Sequence, residues 1–176
     1  MAGARLPPTP DQTVGPFFHY VLTPHAYPVP HLFANDLTQA GVVGETIRIE
    51  GRVLDGDGNL VPDALVEIWQ ADAAGRYAHP ADGRGALSNN FSGFGRSDTD
   101  AMGVFRFVTV RPGPVPGPHG STQAPHIAVM VFARGLVRHL VTRFYFPDEP
   151  LNEGDPILAL VPAERRATLM LRAEGP

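Results

Sequence analysis

Histidine, tyrosine and carboxylate side chains carry the chemistry that this sequence offers, because the chain contains no cysteine. The absence of cysteine excludes disulfides, thiol nucleophiles and thiolate metal sites. A metal ion would therefore need His, Tyr, Asp or Glu ligands. The sequence contains neither a His-Glu-x-x-His motif nor the Gly-x-Ser-x-Gly motif of a serine nucleophile. The histidines lie at positions 19, 25, 31, 79, 119, 126 and 139.

Two short motifs imitate binding loops without their essential residues. Asp55-Gly-Asp-Gly-Asn59 starts like a calcium-binding EF-hand loop, but Val66 stands at the twelfth position, where that loop needs Glu. This segment is predicted to be a turn between strands. Gly93-Phe-Gly-Arg96 lacks the spacing, the Lys and the following helix of a phosphate-binding loop. We expect a backbone kink there, with Arg96 pairing locally.

The overall composition indicates one folded domain of 176 residues, and 43% hydrophobic residues are enough for a sizeable core. Charged residues make up only 18%, so part of the surface is expected to be covered by another chain. All 14 basic residues are arginine, and the net charge is −4. This balance argues against a general nucleic-acid or anionic-membrane binder. The N-terminus has no apolar leader-like region, so the expected location is the cytoplasm.

Short strands must position these side chains, because apolar and polar residues alternate with a period of two. Ile47 and Ile49 alternate with arginine and glutamate, and Phe105 and Phe107 flank Arg106. Many prolines and aromatic residues make residues 1–45 an irregular segment that packs on the domain body or on a partner. One short helix is predicted near 162–170, with proline at its start. Strands are predicted at 45–54, 64–69, 104–110, 126–133 and 139–146.

These elements predict an all-β fold, a β-sandwich of mostly antiparallel strands, for the single domain 1–176. The core is expected to consist of the apolar residues on the inward faces of these strands. The candidates are Ile47, Ile49, Val53, Leu65, Ile68, Phe105, Phe107, Ile127, Val129 and Val131.

Several separate motifs occur in an order that resembles the intradiol ring-cleaving dioxygenases, in particular the protocatechuate 3,4-dioxygenase family. They are Ile68–Tyr77, Gly93–Asp100, Arg111–Pro116 and Ala124–Ala128, and the resemblance runs from Thr9 to the C-terminus. The resemblance implies a chain built around an Fe(III) site with two tyrosinate and two histidine ligands. Phenolate oxygens are hard anionic donors that suit ferric iron, and neutral imidazole completes the ligand set.

Only part of this ligand set is present. The resemblance places the first tyrosine at Tyr77 and the first histidine at His126. The second tyrosine falls on Val115, the second histidine falls on Ala128, and an arginine of the family falls on Gln123. Valine and alanine side chains cannot donate to a metal. We therefore expect no iron in this chain, with Tyr77 and His126 as relic ligand positions held by hydrogen bonds.

The resemblance further implies the alpha chain of a two-chain enzyme. The homologous beta chain would hold Fe(III) and, in a larger assembly of alpha-beta protomers, cleave protocatechuate with O2 to 3-carboxy-cis,cis-muconate. No catalytic residue is expected in the alpha chain alone. Its predicted substrate contacts are Thr13, Gly15, Pro16 and Arg134, which would line the partner's pocket. In the plainer interpretation, residues 13–16 form an ordinary turn and Arg134 makes a surface ion pair.

Two alternatives belong to other functional classes. The chain could be a stand-alone β-sandwich module for binding or structure that has lost its chemistry. It could also be an active single-chain dioxygenase with replacement ligands, although Tyr145 has only His139 near it in the sequence. Co-purification with a homologous chain bearing Tyr and His-x-His separates these classes from a subunit.

Overall fold

A computed structural model describes residue 22 and residues 33–84, 87 and 90–173. From residue 33 onward the regular structure is mostly strand, with one α-helical turn in the described ranges, α1 (Ala163–Arg166). Short 3₁₀ turns lie at Pro118–Gly120, Pro150–Gly154, Leu158–Leu160 and Ala167–Leu169. The strands are β1 (Thr46–Arg52), β2 (Leu65–Trp69), β3 (Phe94–Asp98), β4 (Val104–Val110), β5 (Val115–Pro116), β6 (Thr122–Gln123), β7 (His126–Phe132) and β8 (Leu140–Tyr145).

Two antiparallel sheets form the sandwich. The larger sheet has the strand order β3-β2-β7-β8, and the smaller sheet pairs β1 with β4. Residues of both sheets share one buried apolar cluster, which lies between them. This architecture confirms the predicted fold class.

The predicted core is confirmed in its main part. Ile49, Leu65, Ile68, Phe105, Phe107, Ile127 and Val129 are buried. Ile47, Val53 and Val131 are partly buried and pack against the same cluster. The core also takes residues from outside the predicted strands, because loops close both ends of the sandwich. These are Leu37 and Phe91, while Phe146 ends the predicted strand 139–146 and was missed as a core residue.

The segment around Gly93 differs from its prediction. Gly93 does bend the chain, since its φ is +71° and a Cβ there would overlap the Gln70 carbonyl oxygen. The following residues form the edge strand β3 rather than a kink. Arg96 therefore pairs across the sheet with Glu67 of β2, and not locally.

The end of the N-terminal segment that the structure describes lies on the domain itself. The Leu37 amide donates to the Val108 carbonyl at 2.8 Å, and the Val108 amide donates to the Asn35 carbonyl at 2.9 Å. The Arg96 amide bonds the Ala34 carbonyl at 3.1 Å. Residues 34–37 thus run along β4 and β3, which is one of the two positions expected for this segment.

The predicted helix near 162–170 is confirmed as α1 followed by the 3₁₀ turn Ala167–Leu169. Pro162 precedes the helix, as its missing N–H allows. The helix connects to the large sheet through Met170, which bridges Tyr145 of β8. A small second cluster of buried residues, including Tyr145 and Leu158, lies beneath it.

Candidate functional site

The relic ligand positions lie on the outer face of the large sheet and on loops beside it. His126 and Ala128 are two residues apart in β7, so their side chains point to the same face. Ala128 stands opposite Trp69 of β2 and opposite Arg143 of β8, and His126 stands opposite Tyr145. These cross-strand partners share the outer face, because Ile127 and Val129 point inward to the core. Val115, in β5, is buried.

An open cleft of about 690 Å³ contains the relic tyrosine. Trp69, Tyr77 and His79 form its aromatic wall, and Pro116 lines it from β5. The Tyr77 ring stacks on the Trp69 ring, with centroids 5.9 Å apart and planes 11° apart. His79 meets Trp69 edge-on, with ring centroids 6.4 Å apart. The volume is within the range of about 300–1,000 Å³ that small-molecule pockets show.

The loop that carries Tyr77 is fixed by two carboxylates. Asp72 Oδ1 accepts hydrogen bonds from the amides of Ala74 and Arg76, both at 2.9 Å. Asp82 accepts the Tyr77 amide at 2.8 Å and the Arg84 guanidinium at 2.7 Å. That guanidinium holds the pKa of the Asp82 carboxyl well below its usual range. The Asp82–Arg84 ion pair thus holds the backbone at position 77 in place without a metal ion.

The tight backbone of this loop requires glycine. Gly75 has a φ of +74°, and a Cβ there would overlap the Pro114 carbonyl oxygen. The Arg84 guanidinium also donates a hydrogen bond to the Gly75 carbonyl oxygen, at 2.7 Å. The Tyr77 loop therefore packs directly against the loop that leads into Val115. The fold still brings these two ligand positions of the resemblance together.

Tyr77 itself is partly buried, and burial raises the pKa of its phenol. The positive charge of Arg143 opposes this rise. Its side chain is held by stacking on Trp69, and no hydrogen bond joins its hydroxyl to another residue of the described ranges. The predicted hydrogen bond at this relic position is therefore replaced by a ring contact and by the backbone bond to Asp82.

A contact with the backbone fixes the orientation of the His126 ring. It is only 5% exposed, and its Nδ1 lies 2.7 Å from the Ala124 carbonyl oxygen. Since a carbonyl oxygen only accepts, Nδ1 carries the proton and Nε2 presents a lone pair, as in many metal-binding histidines. Burial lowers the pKa of His126, so the ring is neutral at pH 7. The hydrogen bond predicted for this relic position is confirmed.

A polar group that sequence reasoning missed lies beside these positions. Arg143 donates to Gln123 Oε1 at 2.9 Å and to the Tyr145 hydroxyl at 3.3 Å. The Tyr145 hydroxyl donates to Asp155 Oδ1 at 3.3 Å. Alternation along β8 puts Arg143 and Tyr145 on one face, but only the β7–β8 register places that face at Ala128. Gln123 is where the resemblance expects arginine, so the guanidinium comes from β8 instead.

The donor set does not fit a ferric centre. Val115 and Ala128 offer no donor atoms, which leaves one phenol and one imidazole from the four ligand positions. Within the described ranges no group of three His, Cys, Asp or Glu side chains could hold a metal ion. Among the same residues, no helix has the length and apolar character needed to cross a bilayer.

The predicted substrate contacts are only partly described. Thr13, Gly15 and Pro16 lie outside the described residues. Arg134 follows β7 and is 74% exposed at its side chain, with its Nε 3.2 Å from Asp63 Oδ2. This surface ion pair is the plainer interpretation of Arg134, and a role in a partner's pocket stays a prediction.

Comparison with known proteins assigns the fold and the site to one class. A dioxygenase family model matches residues 15–175. The protocatechuate 3,4-dioxygenase alpha chain of Burkholderia cepacia is 44% identical over 95% of this chain and 84% of its own length. The beta chain from the same organism is 44% identical over 78% of this chain and 62% of its own. This chain therefore belongs to the intradiol dioxygenase family.

A solved structure supports the same assignment. The dioxygenase domain of a dioxygenase carbohydrate-binding protein fusion from Streptomyces sp. SirexAA-E is 31% identical to this chain. It matches with a TM-score of 0.61 over 97% of this chain and 92% of that one. The resemblance stated from the sequence motifs is thus confirmed.

Proposed function

We propose that this chain is the alpha subunit of a protocatechuate 3,4-dioxygenase that binds no iron itself. A homologous beta chain holds the ferric ion, and the complex cleaves protocatechuate with O2 to 3-carboxy-cis,cis-muconate. The observation that carries this proposal is the loss of donors at Val115 and Ala128 in a chain that keeps the loop and strand geometry around Tyr77 and His126. Similarity to an alpha chain over 95% of the sequence supports the same assignment.

In this proposal the chain contributes residues that line the substrate pocket of the beta chain, and no metal ligands. Gly15 and Pro16 give a rigid backbone that can approach a flat aromatic ring, and Thr13 adds a hydroxyl. Arg134 provides a planar, permanently charged group for the carboxylate of the substrate. Its only ion pair among the described residues is with Asp63 at the surface, and such a pair is weak enough to exchange for a ligand.

The surface next to Arg134 supports a partner at this position. Val137, Leu140 and Val141 are 74%, 57% and 68% exposed. They lie on and before β8, which is an edge strand of the large sheet. A cluster of exposed apolar residues at a sheet edge is typical of a surface that another chain covers. In the single domain 1–176, the N-terminal segment 1–45 is proposed to pack on the same partner outside residues 34–37, which lie on β3 and β4. The complex is proposed to reside in the cytoplasm.

Co-expression tests the proposal directly. The chain is produced alone and together with a homologous chain that carries both tyrosines and His-x-His, and each sample is examined by size-exclusion chromatography with light scattering and by O2 uptake with protocatechuate. We expect co-elution in a defined ratio and activity only in the mixed sample. Two chains that elute separately, with this one soluble and monomeric, would support the stand-alone module. Activity of the chain alone would support the single-chain enzyme.

A further inference from the structure

Arg143 is placed at the centre of the positions that lost their ligands. In the register of the large sheet, Trp69, Ala128 and Arg143 form one row across three neighbouring strands. Neighbouring strands lie about 4.8 Å apart, so the Arg143 backbone is the next one to Ala128. The small Ala128 side chain is thus the residue between Trp69 and Arg143 in this row. The His126–Tyr145 pair forms the adjacent row on this face.

The hydrogen-bond partners of Arg143 are neutral. Gln123 Oε1 and the Tyr145 hydroxyl accept from its guanidinium. No carboxylate of the described residues lies within 4 Å of it, whereas Arg84, Arg96, Arg106 and Arg111 each have such a partner. The Asp155 carboxylate accepts the Tyr145 hydroxyl rather than the guanidinium. It is fully buried and already accepts the amides of Ala124, Ile157 and Leu158.

The charge of Arg143 acts on both relic positions, Tyr77 and His126. Burial raises the pKa of Tyr77 and the positive charge of Arg143 opposes that rise, whereas burial lowers the pKa of His126 and the same charge adds to the fall. Tyr77 comes from the loop after β2, and His126 comes from the start of β7. In an iron-bearing chain of the resemblance, the metal ion is the cation that such a phenol and imidazole surround.

We infer that Arg143 is the resident cation of the vacated metal site, where its guanidinium takes the place of the metal charge. Iron is then excluded twice, by the missing donors at Val115 and Ala128 and by a fixed positive charge that repels a second cation. Restoring the donors alone will not restore metal binding. This inference rests on the proposed function in one respect, that the native chain holds no iron.

Restored variants of the full chain test the inference. The variants are Val115→Tyr/Ala128→His, the same pair with Arg143→Gln, and the same pair with Arg165→Gln. Arg165 lies exposed on α1, so the last variant removes the same charge elsewhere. Each protein is incubated with iron, desalted, and measured for iron per chain and for visible phenolate-to-iron absorption. Circular dichroism melting verifies that each is folded.

We expect iron and colour only when Arg143 is replaced, with at least about tenfold more iron than in the pair alone or in the Arg165 control. Equal iron in the pair and the Arg143 variant would overturn the inference, and so would a folded Arg143 variant that takes up none. Iron in the native chain would contradict the proposed function, which is a separate outcome.

A single substitution tests the same inference with less change to the fold. Paramagnetic Cu²⁺ is added to native chain, Arg143→Gln and Arg165→Gln, and the His126 ring signal is followed by NMR. Removal of the resident cation should let Cu²⁺ broaden this signal at about tenfold lower concentration, because repulsion no longer opposes the ion. The same Cu²⁺ dependence in all three proteins would overturn the inference.

Discussion

Arg96 and Arg143 lie on the same face of the same sheet, yet their surroundings differ in charge. Arg96 donates to the Glu67 carboxylate, and the two side chains are only 13% and 11% exposed. It also lies over the Phe33 ring at 4.9 Å and over the Phe94 ring at 5.7 Å. Among the residues that the structure describes, Arg143 has only the neutral acceptors Gln123 and Tyr145. The Arg96 guanidinium is neutralised by a buried carboxylate and so stabilises the sheet. The Arg143 guanidinium has no such partner among the described residues, which is why we infer that it stands in place of a metal charge.

The largest expected effect on stability comes from breaking the Arg96–Glu67 ion pair. Arg96→Met should lower the free energy of unfolding by about 3–5 kcal/mol, because Glu67 remains buried without a partner. Urea unfolding measures this loss. The double variant Arg96→Met/Glu67→Met should recover most of it, since an apolar pair of similar size needs no charge partner. If Arg96→Met is as stable as the native chain, Glu67 does not depend on Arg96 as its charge partner, and the two arginines do not differ as described.

Arg134 is the arginine whose effect should appear in catalysis rather than in stability. In the complex, Arg134→Ala should reduce kcat/KM for protocatechuate by about 1.5–3 kcal/mol, mainly through KM. The reduction for unsubstituted catechol should be smaller, because that substrate lacks the carboxylate. Arg165→Ala on α1 is the matched control. Equal losses for both substrates would mean that Arg134 holds the subunit interface.

Arg143→Gln should have a smaller effect on stability than Arg96→Met. Two hydrogen bonds to neutral groups are lost, each worth about 0.5–1.5 kcal/mol, while a half-buried charge is removed. The net change in the free energy of unfolding should stay below about 1.5 kcal/mol. Urea unfolding under the same conditions gives the comparison. A loss as large as that of Arg96→Met would show that Arg143 is a structural ion-pair member after all.

The smallest expected effect is the pH dependence contributed by His126. Burial lowers its pKa in the folded chain below 6.5, so the unfolded chain binds more protons as the pH falls through that value. The native chain should therefore lose stability below pH 6.5, down to the folded pKa, relative to His126→Asn. Asparagine can still donate to the Ala124 carbonyl. Parallel urea profiles for the two proteins from pH 8 to 5 would show that His126 is not buried in the neutral form.

The sequence predicted those parts of the fold in which side chains alternate. Phe105 and Phe107 around Arg106 define β4, which the structure gives as Val104–Val110. The strand β3 was missed because Gly93 and Gly95 hide its alternation. The pairing of Arg96 with Glu67 also depends on that strand.

The relic positions could be read from the motifs, because Tyr77 and His126 lie in them. Arg143 could not be recognised as their neighbour. Its position depends on how β8 pairs with β7, and a shift of one residue would turn Arg143 to the core. The order of the strands across the sheet is a property of the whole chain and leaves no local pattern.

In the proposed complex, the iron belongs to a partner and not to this chain. The most direct measurement is the iron content and visible absorption of the isolated full chain after incubation with iron, compared with the purified two-chain complex. We expect a colourless isolated chain without bound iron and a coloured complex with one iron per pair of chains. A coloured isolated chain that retains iron after desalting would contradict it.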